Sequence, residues 1–189
     1  MKGSAPEQRL PGDLVVWLLV LAELLTFALL FVSFAVARRV QPEVFAAGQA
    51  TLDIGHGLAN TLALVAASAF AAAAVRAHRF HRHGAWQWWA CALLAALAFL
   101  GMKSLEFAGR FRAGFDWADS TFNMLYFMLT GFHYLHVVVG CLVFVAMIRG
   151  ARSGRYSAQF IRTPESAAVF WHMVDLLWMV LFPLVYIIR

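Results

Sequence analysis

Charge is scarce in this sequence. Asp, Glu, Lys and Arg make up 13% of its 189 residues, against roughly 25% in a soluble domain. That shortage excludes an ordinary water-soluble fold. Cysteine is nearly absent: Cys91 and Cys141 are the only two. Each sits inside an apolar run, so no disulfide framework is implied, and both read as small apolar packers. Acids are fewer than bases, 10 against 15, giving a net charge of +5 and a pI near 9.8. This excess does not mark a nucleic-acid binder. Lys and Arg fall in the gaps between apolar runs, where anionic lipid and membrane topology explain them. What is plentiful is apolar, with 62% hydrophobic residues, 15% aromatic residues and a mean hydropathy of +0.72. A disordered chain lacks such surface to bury.

A bilayer core takes about 20 apolar residues as helix. Five stretches meet that requirement, at about 14–37, 54–75, 85–108, 122–148 and 168–188. They predict an all-α, polytopic membrane protein, with residues 1–189 as a single domain built on a bundle of five transmembrane helices. Ala35-Val36-Ala37 mimics a signal cleavage site. The run before it, however, is longer than an h-region of about 7–15 residues and contains Glu23, so it reads as a membrane helix. The connections are short, about 9 to 19 residues, which leaves no room for an extramembrane domain.

An odd number of spans puts the termini on opposite sides. Lys2, Arg9, Arg76, Arg79, Arg82, Arg149, Arg152, Arg155 and Arg162 fall on one side. Arg38, Arg39, Lys103, Arg110, Arg112 and Arg189 fall on the other. The positive-inside rule then predicts a multi-pass protein of a bacterial cytoplasmic (inner) membrane, N-terminus cytoplasmic and C-terminus periplasmic. Ala59, Ala63, Ala67 and Ala71 form a small-residue stripe that reads as a helix-packing face. Pro183 should kink the last helix. His78, His81 and His83 form a basic loop that reads as touching lipid headgroups rather than a metal.

Ionisable groups inside membrane spans are costly, so each needs a partner or a task. Pairs three residues apart share a helix face: Asp53/His56, Lys103/Glu106, His133/His136 and His172/Asp175. At about 1.5 Å per residue, Glu23 lies about 14 Å from its near edge, Asp175 about 11 Å, His172 about 6 Å, His136 about 18 Å and His133 about 22 Å. Asp53, His56, Lys103 and Glu106 fall together at the outer boundary. Bis-histidine haem ligation needs two histidines on different helices at one depth. His56 and His133 differ by about 10 Å, and His136 and His172 by about 11 Å. No cysteine or carboxylate completes a zinc or copper set at the histidines' depth. The histidines therefore read as bonding to one another and to backbone carbonyls. Glu23, which has no ionisable neighbour on its own helix within a turn or two, is either protonated or paired with His136 or Asp175, and a proton relay is its functional alternative.

Thr130-Gly131-Phe132-His133-Tyr134-Leu135-His136-Val137-Val138-Val139-Gly140 resembles the TGFH-x-LH-x-x-x-G signature of subunit III of the haem-copper oxidases. Phe170-Trp171-His172-Met173-Val174-Asp175-Leu176-Leu177-Trp178 resembles that family's last-helix WH-x-VD-x-x-W motif. Trp17 to Phe31, with Ala22-Glu23 at its centre, resembles the helix bearing the family's buried carboxylate; Asn60-Thr61 and Glu106-Phe107 match shorter family elements. Large members have seven helices, and this chain resembles the last five. Pro11-Gly12-Asp13 and the ending Trp171 to Pro183 are most similar to the five-helix NorE type associated with nitric oxide reductase.

The resemblance implies a subunit with no catalytic residues, metal or cofactor of its own, with bound phospholipid as its companion. It implies a catalytic haem-bearing subunit of an oxidase or nitric oxide reductase as partner, together with membrane lipid and no nucleic acid. Glu23 would be the buried carboxylate, and His133, His136, His172 and Asp175 the intramembrane polar network. Two other classes stay open: a small b-type haem electron carrier, and a proton or small-solute transporter. Against the transporter, five helices cannot form two equal inverted halves.

Overall fold

The computed structural model describes residues 13–80, 84–153 and 162–188. Pro11, Gly12, His81, Arg82, His83 and Arg189 lie outside them. The elements are α1 (Leu14–Val40), α2 (Pro42–Ala50), α3 (Ile54–Arg79), α4 (Ala85–Arg112), α5 (Thr121–Arg152) and α6 (Arg162–Phe182), the last continued by a π turn at Pro183–Ile187. Five of these, α1, α3, α4, α5 and α6 with its π turn, are long and apolar enough to cross a membrane.

Several helices outrun their apolar stretches. Their last turns carry Arg38 and Arg39 (α1), Arg76 and Arg79 (α3), Arg110 and Arg112 (α4), and Arg149 and Arg152 (α5). A cation beside the negative end of the helix dipole stabilises those final turns. Hydrophobicity therefore marks where a helix leaves the bilayer, and the basic cap marks where the helix ends. Asp53 caps α3 by accepting from the backbone N–H groups of Gly55 (2.7 Å) and His56 (3.3 Å), and Ser120 caps α5 through Asn123 N–H (3.1 Å).

α2 is an addition to the expected five. Pro42, at its first turn, presets the helical φ. The helix buries Phe45 and Gln49. Phe45 meets Phe34 of α1 and Phe122 of α5 edge-on, at centroid distances of 5.0 and 5.5 Å.

α3 and α4 pack most extensively on each other, and α6 wedges between α3 and α5. Small side chains permit the close α3–α4 approach: Ala67, Ala71 and Ala74 face Ala92 and Ala96, all fully buried. The alanine stripe is corrected in one respect, because Ala59 and Ala63 are only partly buried. A four-residue step overshoots the 3.6-residue turn, so the stripe drifts off the contact face and the buried row takes a three-residue step to Ala74. At Gly140 a Cβ would lie 2.6 Å from the Trp171 ring, so the helix contact there admits no side chain.

α1 and α6 run parallel. Asp13 N–H donates to Ser166 Oγ at one end (3.0 Å), and Arg38 Nη1 donates to the Ile188 carbonyl at the other (2.7 Å). The end holding residue 14 is called the near end below, and the opposite one the far end.

Candidate functional site

The buried face of α4 steps through Ala92, Ala96, Phe99 and Lys103. Lys103 thus occupies a core position and is 0% exposed. Its ammonium has three donors, and each finds an oxygen: Glu106 Oε1 at 3.0 Å, Tyr186 Oη at 2.6 Å and Tyr126 Oη at 3.1 Å. Tyr186 Oη donates onward to Glu106 Oε1 (2.8 Å), as does Tyr126 Oη. The rings of Phe107, Tyr126, Trp178 and Tyr186 surround the ammonium at 5.1–5.7 Å, distances at which ring quadrupoles attract a cation.

The π turn delivers Tyr186 to this centre. Pro183 cannot donate an N–H, and the widened turn is held from outside by Gln49. Its amide donates to the carbonyls of Val185 (2.9 Å), Ile188 (3.0 Å) and Leu184 (3.5 Å). The expected kink is therefore a π turn stapled by α2. Tyr126, Tyr186 and Gln49 were not anticipated as site residues. Tyr126 lies seven residues before His133, two turns away on one face, and that spacing could have indicated it.

The outer-boundary cluster is corrected. Asp53 and His56 pair with each other (Oδ2–Nδ1 2.8 Å) but are both 63% exposed, outside the bundle, whereas Lys103 and Glu106 are inside it. Helix ends at one depth can still aim at different solvents: Asp53 caps an exposed helix start, while Lys103 continues a core row. The backbone N–H groups of Gly55 and His56 hold the Asp53 carboxyl below its ordinary value. Between the two pairs lies a cavity of about 450 Å³ lined by Thr51, Asp53, Glu106, Arg110, Asp119 and Asn123 among others.

The second centre lies between α1 and α5. His136 Nε2 stands 3.1 Å from Glu23 Oε2. The Nδ1 of His136 donates to the Phe132 carbonyl at 2.7 Å. With Nδ1 protonated, a hydrogen bond between Nε2 and the carboxyl needs one further proton, held by either group. The pair is a one-proton device. Glu23 is 29% exposed and His136 15% exposed, so the device opens onto the bundle's outer surface.

The four-residue intramembrane network is also corrected. His133 is fully buried, donates Nε2–H to the Val174 carbonyl (3.1 Å) and packs against Phe99 and Trp178. Trp178 in turn donates to Thr61 Oγ1 (2.9 Å). Asn60, beside Thr61, is fully buried and its amide finds no partner among the described residues. Asp175 Oδ2 accepts from Ser68 Oγ of α3 (2.8 Å). No hydrogen bond joins Asp175 to His172, which is exposed beside Trp17, Val20 and Leu24. Three residues advance a helix by about 300°, leaving about 60° between side chains. That angle sends His133 inward and His136 to α1, Asp175 to α3 and His172 outward.

The described histidines thus do not converge. Among the described residues no three His, Cys, Asp or Glu side chains gather where they could hold a metal ion. His78, expected in a solvated loop, instead ends α3 half-buried, its Nε2 accepting from Trp89 Nε1 at 3.1 Å.

Comparison with known proteins gives one consistent result. A family model described as cytochrome c oxidase subunit III matches residues 12–189. The cytochrome c oxidase subunit 3 of Thermostichus vulcanus is 29% identical over 187 residues, 97% of this chain and 89% of that protein. The cytochrome bo(3) ubiquinol oxidase subunit 3 of Pseudomonas aeruginosa is 27% identical over 172 residues, covering 90% of this chain and 82% of its own length. A probable cytochrome c oxidase subunit 3 of Mycobacterium bovis is 27% identical over 176 residues, 93% and 86% of the two chains.

Proposed function

The chain belongs to the cytochrome c oxidase subunit III family, and from that premise we propose that it is a non-catalytic accessory subunit of a respiratory haem-copper oxidase or nitric oxide reductase complex. The observation that carries this reading is the family match along nearly the whole chain, residues 12–189. It is supported by the engagement of the buried polar groups. Lys103, His133 and Asp175 are held by other groups of the bundle, which suits a scaffold that packs on a haem-bearing catalytic subunit.

In this role the Glu23–His136 pair is the part that acts. It can hold or pass one proton at the bundle surface, where a catalytic subunit taking up protons would sit. Bound phospholipid is its expected companion. The Pro11-Gly12-Asp13 entry and the Trp171–Pro183 ending favour the NorE type within the family. Burial of Lys103 favours the N-terminus-cytoplasmic orientation, because among the described residues it leaves Arg38, Arg39, Arg110 and Arg112 as the cations of the far end.

Purification of the chain from its native membranes in mild detergent tests the reading. The expected result is a stoichiometric haem-bearing partner, identified by mass spectrometry, with the visible spectrum following that partner when the two are separated. A Soret band retained by this chain alone overturns the proposal in favour of an electron carrier. Proton flux through vesicles holding only this chain overturns it in favour of a transporter.

A further inference from the structure

The far-end cavity of about 450 Å³ lies among the end of α4, the start of α5, the connection between them and the α2–α3 junction. Two of its glycines leave it open: a Cβ on Gly109 or Gly114 would meet nothing within 4 Å. Three carboxylates, Asp53, Glu106 and Asp119, share its wall with one cation, Arg110. Arg110 bonds Thr51 Oγ1 (3.2 Å) and lies over the Tyr126 ring at 4.6 Å, and among the described residues it forms no ion pair with the three acids. Lys103, behind the wall, offsets Glu106, and Arg110 offsets one further charge. One negative charge is left without a counter-ion. Asp119 is exposed, and its carboxylate has no hydrogen-bond or ion-pair partner among the described residues.

The oxygens still open select the cation that fits. Asp53 has none to spare: Oδ1 accepts from the Gly55 and His56 backbone, and Oδ2 faces His56 Nδ1. Glu106 Oε1 accepts from Lys103, Tyr126 and Tyr186, while Oε2 has no partner among the described residues. A guanidinium fork prefers both oxygens of one carboxylate, and Glu106 offers only one. An ammonium is a point charge with three donors on a flexible stem, so it needs a single oxygen from each carboxylate. Gly109, Ala113, Gly114 and Phe115 supply an apolar flank for such a stem. A metal ion is not served here, since among the described residues no three His, Cys, Asp or Glu side chains gather to hold one.

We propose that the far-end cavity is the docking site for a lysine side chain of the partner subunit, its ammonium held by Asp119 and Glu106 Oε2. This rests on the accessory-subunit reading and names a contact that keys the bundle to its partner. Complementary charge across an interface fixes register and excludes wrong partners. Glu43 supplies the control: it is exposed in the first turn of α2, carries the same charge and lines none of the cavity.

The complex is purified from native membranes and treated with a water-soluble carbodiimide, which joins a carboxyl to an amine in contact with it. Cross-linked peptides are mapped by mass spectrometry, and partner retention is followed through washes of rising salt. Asp119 is expected to join a lysine of the haem-bearing partner, and Asp119→Asn to abolish that link. Asp119→Lys should lower partner retention about tenfold, because like charges then face each other. Gly109→Leu, which fills the cavity without changing charge, should also weaken the link, and Glu43→Lys should match the wild type. Equal losses in Asp119→Lys and Glu43→Lys overturn the site in favour of general far-end charge. A link from Asp119 to a second copy of this chain overturns the assignment of the occupant. A haem-bearing partner that co-purifies with no link at Asp119 overturns this inference alone, whereas the absence of any such partner overturns the accessory-subunit reading beneath it.

Discussion

The centre at Lys103 and the pair at Glu23 and His136 solve the same physical problem in opposite ways. At Lys103 a charge is fully removed from solvent, and two helices and a π turn supply every bond its ammonium can make. At Glu23 a single contact joins a carboxyl and an imidazole that both keep some exposure. A buried charge is tolerated when its partners are redundant and fixed. A proton can exchange only where a group is reachable and has few competing bonds. The difference separates the part that holds the bundle together from the part that can act beside a partner.

The sharpest way to break this contrast is to strand the buried lysine. Glu106→Ala leaves Lys103 without its counter-charge and should destabilise the bundle by about 3–5 kcal/mol, read by thermal unfolding in detergent. The paired change Lys103→Met with Glu106→Leu should recover most of that loss, because an apolar replacement removes both charges together. Gln49→Ala tests the staple: it frees carbonyls of the π turn and should cost about 1–3 kcal/mol by the same measurement. Coupling between Gln49→Ala and Tyr186→Phe in a double-mutant cycle would show that α2 acts through Tyr186.

Smaller effects sharpen the contrast on the other side. Asp175→Ala removes the acceptor of Ser68 and should cost about 1 kcal/mol, while His172→Ala, at an exposed site without that bond, should stay within about 0.5 kcal/mol. Equal losses for the two would restore a His172–Asp175 pair. The smallest effect is at Asp53. Its folded-state pKa lies below the ordinary value, so its capping contribution is present above the ordinary carboxylate range and is lost as pH falls through the folded value. Stability curves of the wild type and Asp53→Ala should differ at neutral pH and converge in acid.

The spans were readable from the sequence because lipid demands long apolar runs whatever the tertiary contacts. α2 was not, since nine residues between two spans carry no such signal. Spacing could place His133 and His136 on one turn, yet the neighbour each would meet depends on where α1 and α6 pack. The burial of Lys103 could be inferred from its place after Ala92, Ala96 and Phe99, all core residues. Tyr186 could not, because a π turn re-aims its side chain, and that turn is fixed by contacts from distant residues, Gln49 and Arg38. The motifs of the resemblance thus located the right helices, while the division of labour among their polar residues emerged only from packing.

The division between a sealed centre and an open one is tested most directly with a hydrophobic carbodiimide, which modifies protonated carboxyls reached from the bilayer. The purified chain is labelled, digested and mapped by mass spectrometry. Glu23 should be modified and Glu106 spared, and His136→Ala should change the extent of labelling at Glu23 without exposing Glu106. Modification of Glu106 with Glu23 untouched would contradict the assignment of the open, proton-exchanging site to α1 and α5.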